Sequence, residues 1–189
     1  MKVTLLKSIL TSALLASLVA CSTAPTHLIL SPQVNLPASN QFANKEASIN
    51  VIDMRTSPHI VQILEKDEAA TILSSKVRIE DIISGILSKE WQQQGLTISA
   101  DANNKITATI EKAIISVDQE SVTYTTQSEI IIKVMIENEK QTLTSQFKTR
   151  AHSEGALNAD IAALEREFNQ HLTTLLKQML VSKDIKKFL

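Results

Sequence analysis

The chain has one cysteine, three glycines and four histidines in 189 residues, and its aromatics are one Trp, one Tyr and four Phe. A single thiol excludes an internal disulfide and any site built from several Cys ligands. Gly85, Gly95 and Gly155 are too few and too scattered for a phosphate-cradling loop, and none belongs to a Gly-x-Ser-x-Gly nucleophile elbow. So few aromatic rings argue against a sugar site lined by stacked side chains. Neither sign of charge dominates: 19 Lys and Arg stand against 20 Asp and Glu, interspersed along the chain. There is no basic stripe for nucleic acid and no polybasic patch for an anionic membrane. Nor is there an apolar run of about 20 residues, the length that spans a bilayer.

What is present begins at the N-terminus. Lys2 and Lys7 precede Ile9–Ala20, twelve residues without a charge. That run has the length and flanks of a secretory signal rather than a membrane span. It ends Leu18-Val19-Ala20-Cys21, which resembles the lipobox of bacterial lipoproteins. In that class the signal is cut before the cysteine and the thiol carries a diacylglycerol. Cys21 is therefore expected to be a lipid anchor, and two or three acyl chains hold a protein firmly on a membrane. Ser22 is the expected sorting residue: in Gram-negative lipoproteins Ser at this place favours the outer membrane, whereas Asp favours retention at the inner one. Loss of Lys2 and Lys7 with the signal leaves the mature chain at −3 against −1 for the precursor.

Three segments follow from this reading: a signal peptide at 1–20, a lipidated, proline-containing tether at 21–46, and a single α+β periplasmic domain at 47–189. Pro25, Pro32 and Pro37 with intervening Ser, Asn and Gln give 21–46 a tether composition. Cys21–Thr26 is expected to be flexible and Leu28–Leu36 to lie extended against the domain. In the domain, Ile49 and Val51 mark a short strand, Asp53–Pro58 a turn, and His59–Leu64 a second strand. Ile79, Ile82, Ile83, Ile86, Leu87 and Trp91 recur at three and four, the spacing of an amphipathic helix, with Ser75 as candidate N-cap and Gly95 ending it. Ile106, Ala108 and Ile110 share one parity and Ala113, Ile115 and Val117 the other, so a bulge is placed at Glu111-Lys112.

Val122 to Ile136 alternates with apolar residues at even positions, and 142–151 alternates after a turn at Asn138-Glu139, the pattern of a half-wet antiparallel sheet. A last helix is expected from Asn158 as N-cap, with Leu164, Phe168, Leu172, Leu176 and Met179 on one stripe. The expected fold is an α+β two-layer sandwich, a mainly antiparallel sheet with two amphipathic helices on one face, in the order ββαββββα.

Little in this pattern carries chemistry. Glu167 and His171 are four apart on one helix face, but no second pair completes a metal site, and they read as a solvated charge pair. Asp67/Glu68 and Glu80/Asp81 read as surface carboxylates. Asp53-Met54-Arg55-Thr56 is the one local cluster of note. Asp53 and Arg55 are candidates either for holding an anionic ligand or a partner's backbone, or for locking the turn. Ile131 and Met135 break the polar face of their strand and form a small outer apolar patch, which a docked Leu28–Leu36 would also cover.

Through Leu18–Cys21, then Leu30-Ser31-Pro32-Gln33-Val34-Asn35-Leu36-Pro37, then Asp53-Met54-Arg55-Thr56, the chain resembles the YajG family of bacterial lipoproteins. The helix ending in Gly95 and the hairpin at Val117–Tyr124 match in position. The resemblance implies an envelope lipoprotein and adds no reaction. The expectation is a non-enzymatic, lipid-anchored protein of the outer membrane, facing the periplasm in a Gram-negative source, which binds another envelope protein or a cell-wall component. No cofactor, metal or nucleic acid is expected. The alternative is a carrier of a small ligand or lipid, with a pocket between helices and sheet.

Overall fold

The computed structural model describes residues 26–189. The segment expected to be a signal peptide, Cys21, Ser22 and the residues as far as Pro25 lie outside these. The elements are β1 His27–Leu28, β2 Glu46–Asp53, β3 His59–Glu65, β4 Thr71–Ser75, α1 Ile79–Gln93, β5 Thr97–Ile98, β6 Asn104–Gln119, β7 Thr123–Glu137, β8 Thr142–Ala156, α2 Ile161–Leu180 and α3 Lys183–Phe188. Against the expected order the structure adds β1, β4 and the terminal α3.

Three long antiparallel strands, β6, β7 and β8, form the larger part of one curled sheet. The rest of the sheet is not antiparallel in the main, and here the expectation needs correcting. β2 and β3 lie end to end along the free edge of β6, and both run parallel to it: Ile49 faces Ile106, and Val61 faces Ile115. β1 adds to β4, and β5 to β2, also in parallel. The sheet is thus mixed. β2 and β3 precede α1 and their parallel partner β6 follows it, and a crossover connection leaves no turn signature between them.

The bulge falls where the parity change puts it. The β6–β7 register slips between Ile110 and Lys112, leaving Glu111 without a partner. Past it, Ala113, Ile115 and Val117 join Ile106, Ala108 and Ile110 on the covered face, with Ile130, Ile132, Val134 and Ile136 beside them. α1 covers that face with Ile79, Ile83, Leu87 and Trp91, and α2 with Leu164, Phe168, Leu172, Leu175, Leu176 and Met179.

The helix ends correct two expected caps. Ser75 belongs to β4, and α1 starts after Arg78, whose side chain makes no cap bond; Glu80 and Asp81 in the first turn favour the dipole instead. α2 starts after Asp160, which accepts from the Ala162 amide, and not after Asn158. The C-terminus of α1 is as expected. Gly95 takes φ +92°, its N–H bonds the Gln92 carbonyl, and Leu96 N–H bonds Trp91, a Schellman closure that folds Leu96 into the core.

Ile132 and Lys133 test the face assignment. Ile132→Ala removes fully buried atoms and should lower unfolding stability by about 2–5 kcal/mol. Lys133→Ala, on the open face, should change it by under about 0.5 kcal/mol. Denaturant midpoints of the two variants read the difference directly, and equal midpoints would reverse the faces.

Candidate functional site

Asp53 ends β2 and Arg55 follows in the break before β3. The expected turn is not a reversal: the chain leaves the edge of β6 and rejoins it in the same direction. The break lies opposite the β6 bulge, so the ladder there has carbonyls without amide partners. Arg55 supplies the missing donors. Its Nη1 bonds the Ala113 carbonyl at 3.1 Å and the His59 carbonyl at 3.2 Å. Nη2 bonds Asp53 Oδ2 at 2.8 Å and the Pro58 carbonyl at 3.4 Å, and Nε bonds Asp53 Oδ1 at 2.9 Å. The Arg55 amide also donates to Asp53 Oδ1. A guanidinium has five N–H groups, and all five are used inside the fold.

The pair is well shielded, with the Arg55 side chain 7% and the Asp53 side chain 17% exposed. Burial pushes the Asp53 carboxyl up, but the Arg55 guanidinium and amide outweigh it and hold it below its ordinary value. A cleft of about 140 Å³ opens beside the pair, lined by Thr56, Ser57, His59 and Lys112 among others. With no donor of Arg55 left over, the geometry is that of a strand splice.

The N-terminal segment is built into the body as an extended strap. Leu28, Leu30, Pro32 and Val34 alternate inward and are buried. The intervening amides bond side chains one helical turn apart on α2: Ile29 to Glu165 at 2.7 Å, Ser31 to Asn169 at 2.8 Å, and Gln33 to Thr173 at 3.0 Å. Two extended residues rise about 6.6 Å and four helical residues about 6.0 Å, so the two repeats stay in step over this length. Asn169 also donates back to the Ile29 carbonyl, and Leu36 N–H reaches buried Glu90 on α1. Pro32 falls where the strand needs no amide on the α2 side. The strap lies on the helical layer, so it does not cover the Ile131 and Met135 patch.

That patch stays on the uncovered sheet face, with both residues half-buried. Beside it is a cluster that the sequence reading missed. Glu129 on β7 meets Lys112 from β6 at 2.6 Å, and Lys148 and Arg150 from β8 at 2.7 and 2.5 Å. The hairpin at Asn138 sets the register that faces Glu129 with Arg150, so the turn and the parity together held this signal. Lys112, then Lys148, with Arg150 adding, push the Glu129 carboxyl down to about 2 despite partial burial.

A carboxyl depressed in the folded state stabilises above its unfolded value and loses that contribution as pH falls through the folded one. Glu129→Gln should therefore narrow the drop in melting temperature between about pH 4.5 and pH 2 relative to wild type at low salt, and the difference should shrink in concentrated salt. Parallel acid limbs for the two proteins would sink this assignment.

Glu167 and His171 are not solvated as expected. Both are half-buried toward the sheet, where His171 Nδ1 meets Ser128 Oγ at 2.9 Å, while one Glu167 oxygen is buried without a bond. Among the described residues no group of three or more His, Cys, Asp or Glu is placed to hold a metal. No described helix is long and apolar enough to cross a membrane.

A family model described as an uncharacterized lipoprotein matches residues 32–189. No curated protein matches the chain. Among solved structures, a protein from Xanthomonas campestris superposes with a TM-score of 0.63 at 13% identity, over 87% of this chain and 97% of that one. An uncharacterized protein superposes with a TM-score of 0.52 at 9% identity, over 82% and 97%. At such identities the likeness shows the fold alone.

Proposed function

Because the chain belongs to that family of uncharacterized lipoproteins, we propose that it is anchored by lipid on Cys21 to the outer membrane, faces the periplasm, and acts there as a non-enzymatic binder of another envelope protein or a cell-wall component. The observation that carries the non-enzymatic reading is Arg55. The cluster that the sequence singles out as a candidate anion site spends every Arg55 donor on strand carbonyls and Asp53. The carrier alternative has less support, because Ile110, Ile132, Phe168, Leu172 and Leu176 fill the layer between sheet and helices. The face left for a partner is the open side of β6–β8, where Ile131 and Met135 sit among the Glu129 ion pairs.

Three measurements test the reading. Cys21→Ser should abolish incorporation of labelled palmitate and leave the precursor uncleaved; equal label in both proteins would refute the anchor. Ser22→Asp should shift the protein toward the inner-membrane fraction of a density gradient. For the partner, a photo-crosslinking residue at Ile131 or Met135 should capture a discrete envelope component in intact cells, identified by mass spectrometry, whereas one at Arg166 on α2 should not. Identical capture from both faces would remove the sheet face as the binding surface.

A further inference from the structure

β8 is an edge strand whose outer side is unpaired. The sheet ends elsewhere in the two-residue strands β1 and β5, whereas β8 runs 15 residues and pairs with β7 alone. The hairpin decides which of its backbone groups point outward. Asn138 N–H bonds the Gln141 carbonyl at 3.1 Å, so these two form a hydrogen-bonded pair. Such pairs alternate along an antiparallel ladder, so Leu143, Ser145, Phe147 and the other odd residues of β8 bond β7. The amides and carbonyls of Thr142, Thr144, Gln146, Lys148, Arg150 and His152 therefore face away from it. Among the described residues no hydrogen bond reaches them.

Natural edges are commonly blunted by short length, by a proline, by a bulge or by free charge. β8 has no proline, and its register on β7 runs without a break. Lys148 and Arg150 are drawn onto the open face by Glu129. On the helix side Leu143, Ser145, Phe147, Thr149 and Ala151 are all half-buried, so α2 stops short of the edge and leaves room beside it.

We infer that β8 pairs antiparallel with β8 of a second copy of this chain, about a twofold axis at Phe147, so that the two sheets become one. Because the outward groups belong to even-numbered residues, the new ladder joins even to even. Centring it on Lys148 or Arg150 sets that residue against itself, and centring on Thr149 sets Lys148 against Arg150, with like charges opposed each time. Centring on Ala151 sets Arg150 against His152 and leaves Phe147 facing Gly155. Centring on Phe147 sets Lys148 against Gln146 and Arg150 against Thr144, and no like charges meet. On the helix side it places Phe147 beside its own copy, an aromatic pair, with Leu143 facing Ala151 and Ser145 facing Thr149. Paired from Thr142 to His152, the joint is about 36 Å long and adds about a dozen backbone hydrogen bonds. Residues opposite one another share a face, so the open sides of the two copies become one continuous surface. The pairing does not depend on the lipid anchor.

The test uses the full chain in density-matched detergent. Sedimentation equilibrium at micromolar concentration should give the mass of two copies. Gln146→Pro removes an outward N–H and no bond to β7, so it should give the mass of one copy with an unchanged circular dichroism spectrum. Mild thiol oxidation reads the register. A mixture of Ser145→Cys and Thr149→Cys chains should form several-fold more disulfide-linked dimer than either chain alone, with the unsubstituted chain as the blank for Cys21. This second arm needs no proline and decides by itself if Gln146→Pro unfolds the chain. The mass of one copy for the unsubstituted chain, or two copies that a folded Gln146→Pro does not separate, would overturn the inference. So would equal crosslinking in the mixture and the single variants. Capture of a different envelope protein in place of a second copy, by a photo-crosslinking residue at Gln146, would also overturn it and give the edge to that partner.

Discussion

Arg55→Ala is expected to lower unfolding stability by about 3 kcal/mol, among the largest effects of any single substitution outside the apolar core. Breaking a buried ion pair from one side leaves the other charge uncompensated, at about 3–5 kcal/mol. Asp53 keeps some contact with water, which argues for the lower end of that range. The same change orphans the Ala113 and His59 carbonyls at the break between β2 and β3. Arg55→Lys should recover little, because an ammonium has three donors on one atom and cannot span two carbonyls and both carboxylate oxygens. Asp53→Asn, which keeps the shape and an acceptor, should be milder than Asp53→Ala. Chemical denaturation of the signal-less domain ranks the four. If Arg55→Ala melts like wild type while crosslinking from the sheet face is lost, the splice reading fails and the cluster is a binding site.

Acid should weaken the same splice. The Asp53 carboxyl is held below its ordinary value in the fold. Its contribution is therefore complete above the unfolded value near pH 4 and is lost as pH falls through the folded one. Arg55→Ala should lose most of this dependence.

Leu28→Ala is expected to lower stability by about 2–5 kcal/mol, the range for truncating a fully buried leucine. A residue in a mere tether would change it by under about 0.5 kcal/mol. Its neighbour Ile29, which is largely exposed, provides the control: Ile29→Ala should sit near wild type, because its amide bond to Glu165 does not involve the side chain. The comparison needs only denaturant curves of the two variants, and matching midpoints would mean that the strap does not dock in solution.

The periodicities of single elements were legible without any coordinates. The 3.6-residue stripe of Ile79 to Trp91, the alternation of Val122 to Ile136, the parity change at Glu111-Lys112 and the glycine closing α1 each arise from neighbours in sequence, and the backbone obeys them locally. So was the resemblance of Leu18–Cys21 to a lipobox, which lies in a short string rather than in a fold. What the chain could not show by itself are relations between distant residues. That β2 and β3 run parallel along one edge of β6 depends on a crossover through α1. That Arg55 fills the gap between them depends on carbonyls nearly sixty residues away at Ala113.

The strap is the sharpest case. Leu28, Leu30, Pro32 and Val34 alternate visibly, so an extended segment with one apolar side could be read. Where it lies is decided by Glu165, Asn169 and Thr173, about 140 residues downstream. They match it only because two extended residues and one turn of helix have nearly the same rise. Sequence determined the local conformations; tertiary structure alone decided which surfaces meet, because the hydrogen bonds and burial that select one packing are made between segments that no local pattern connects.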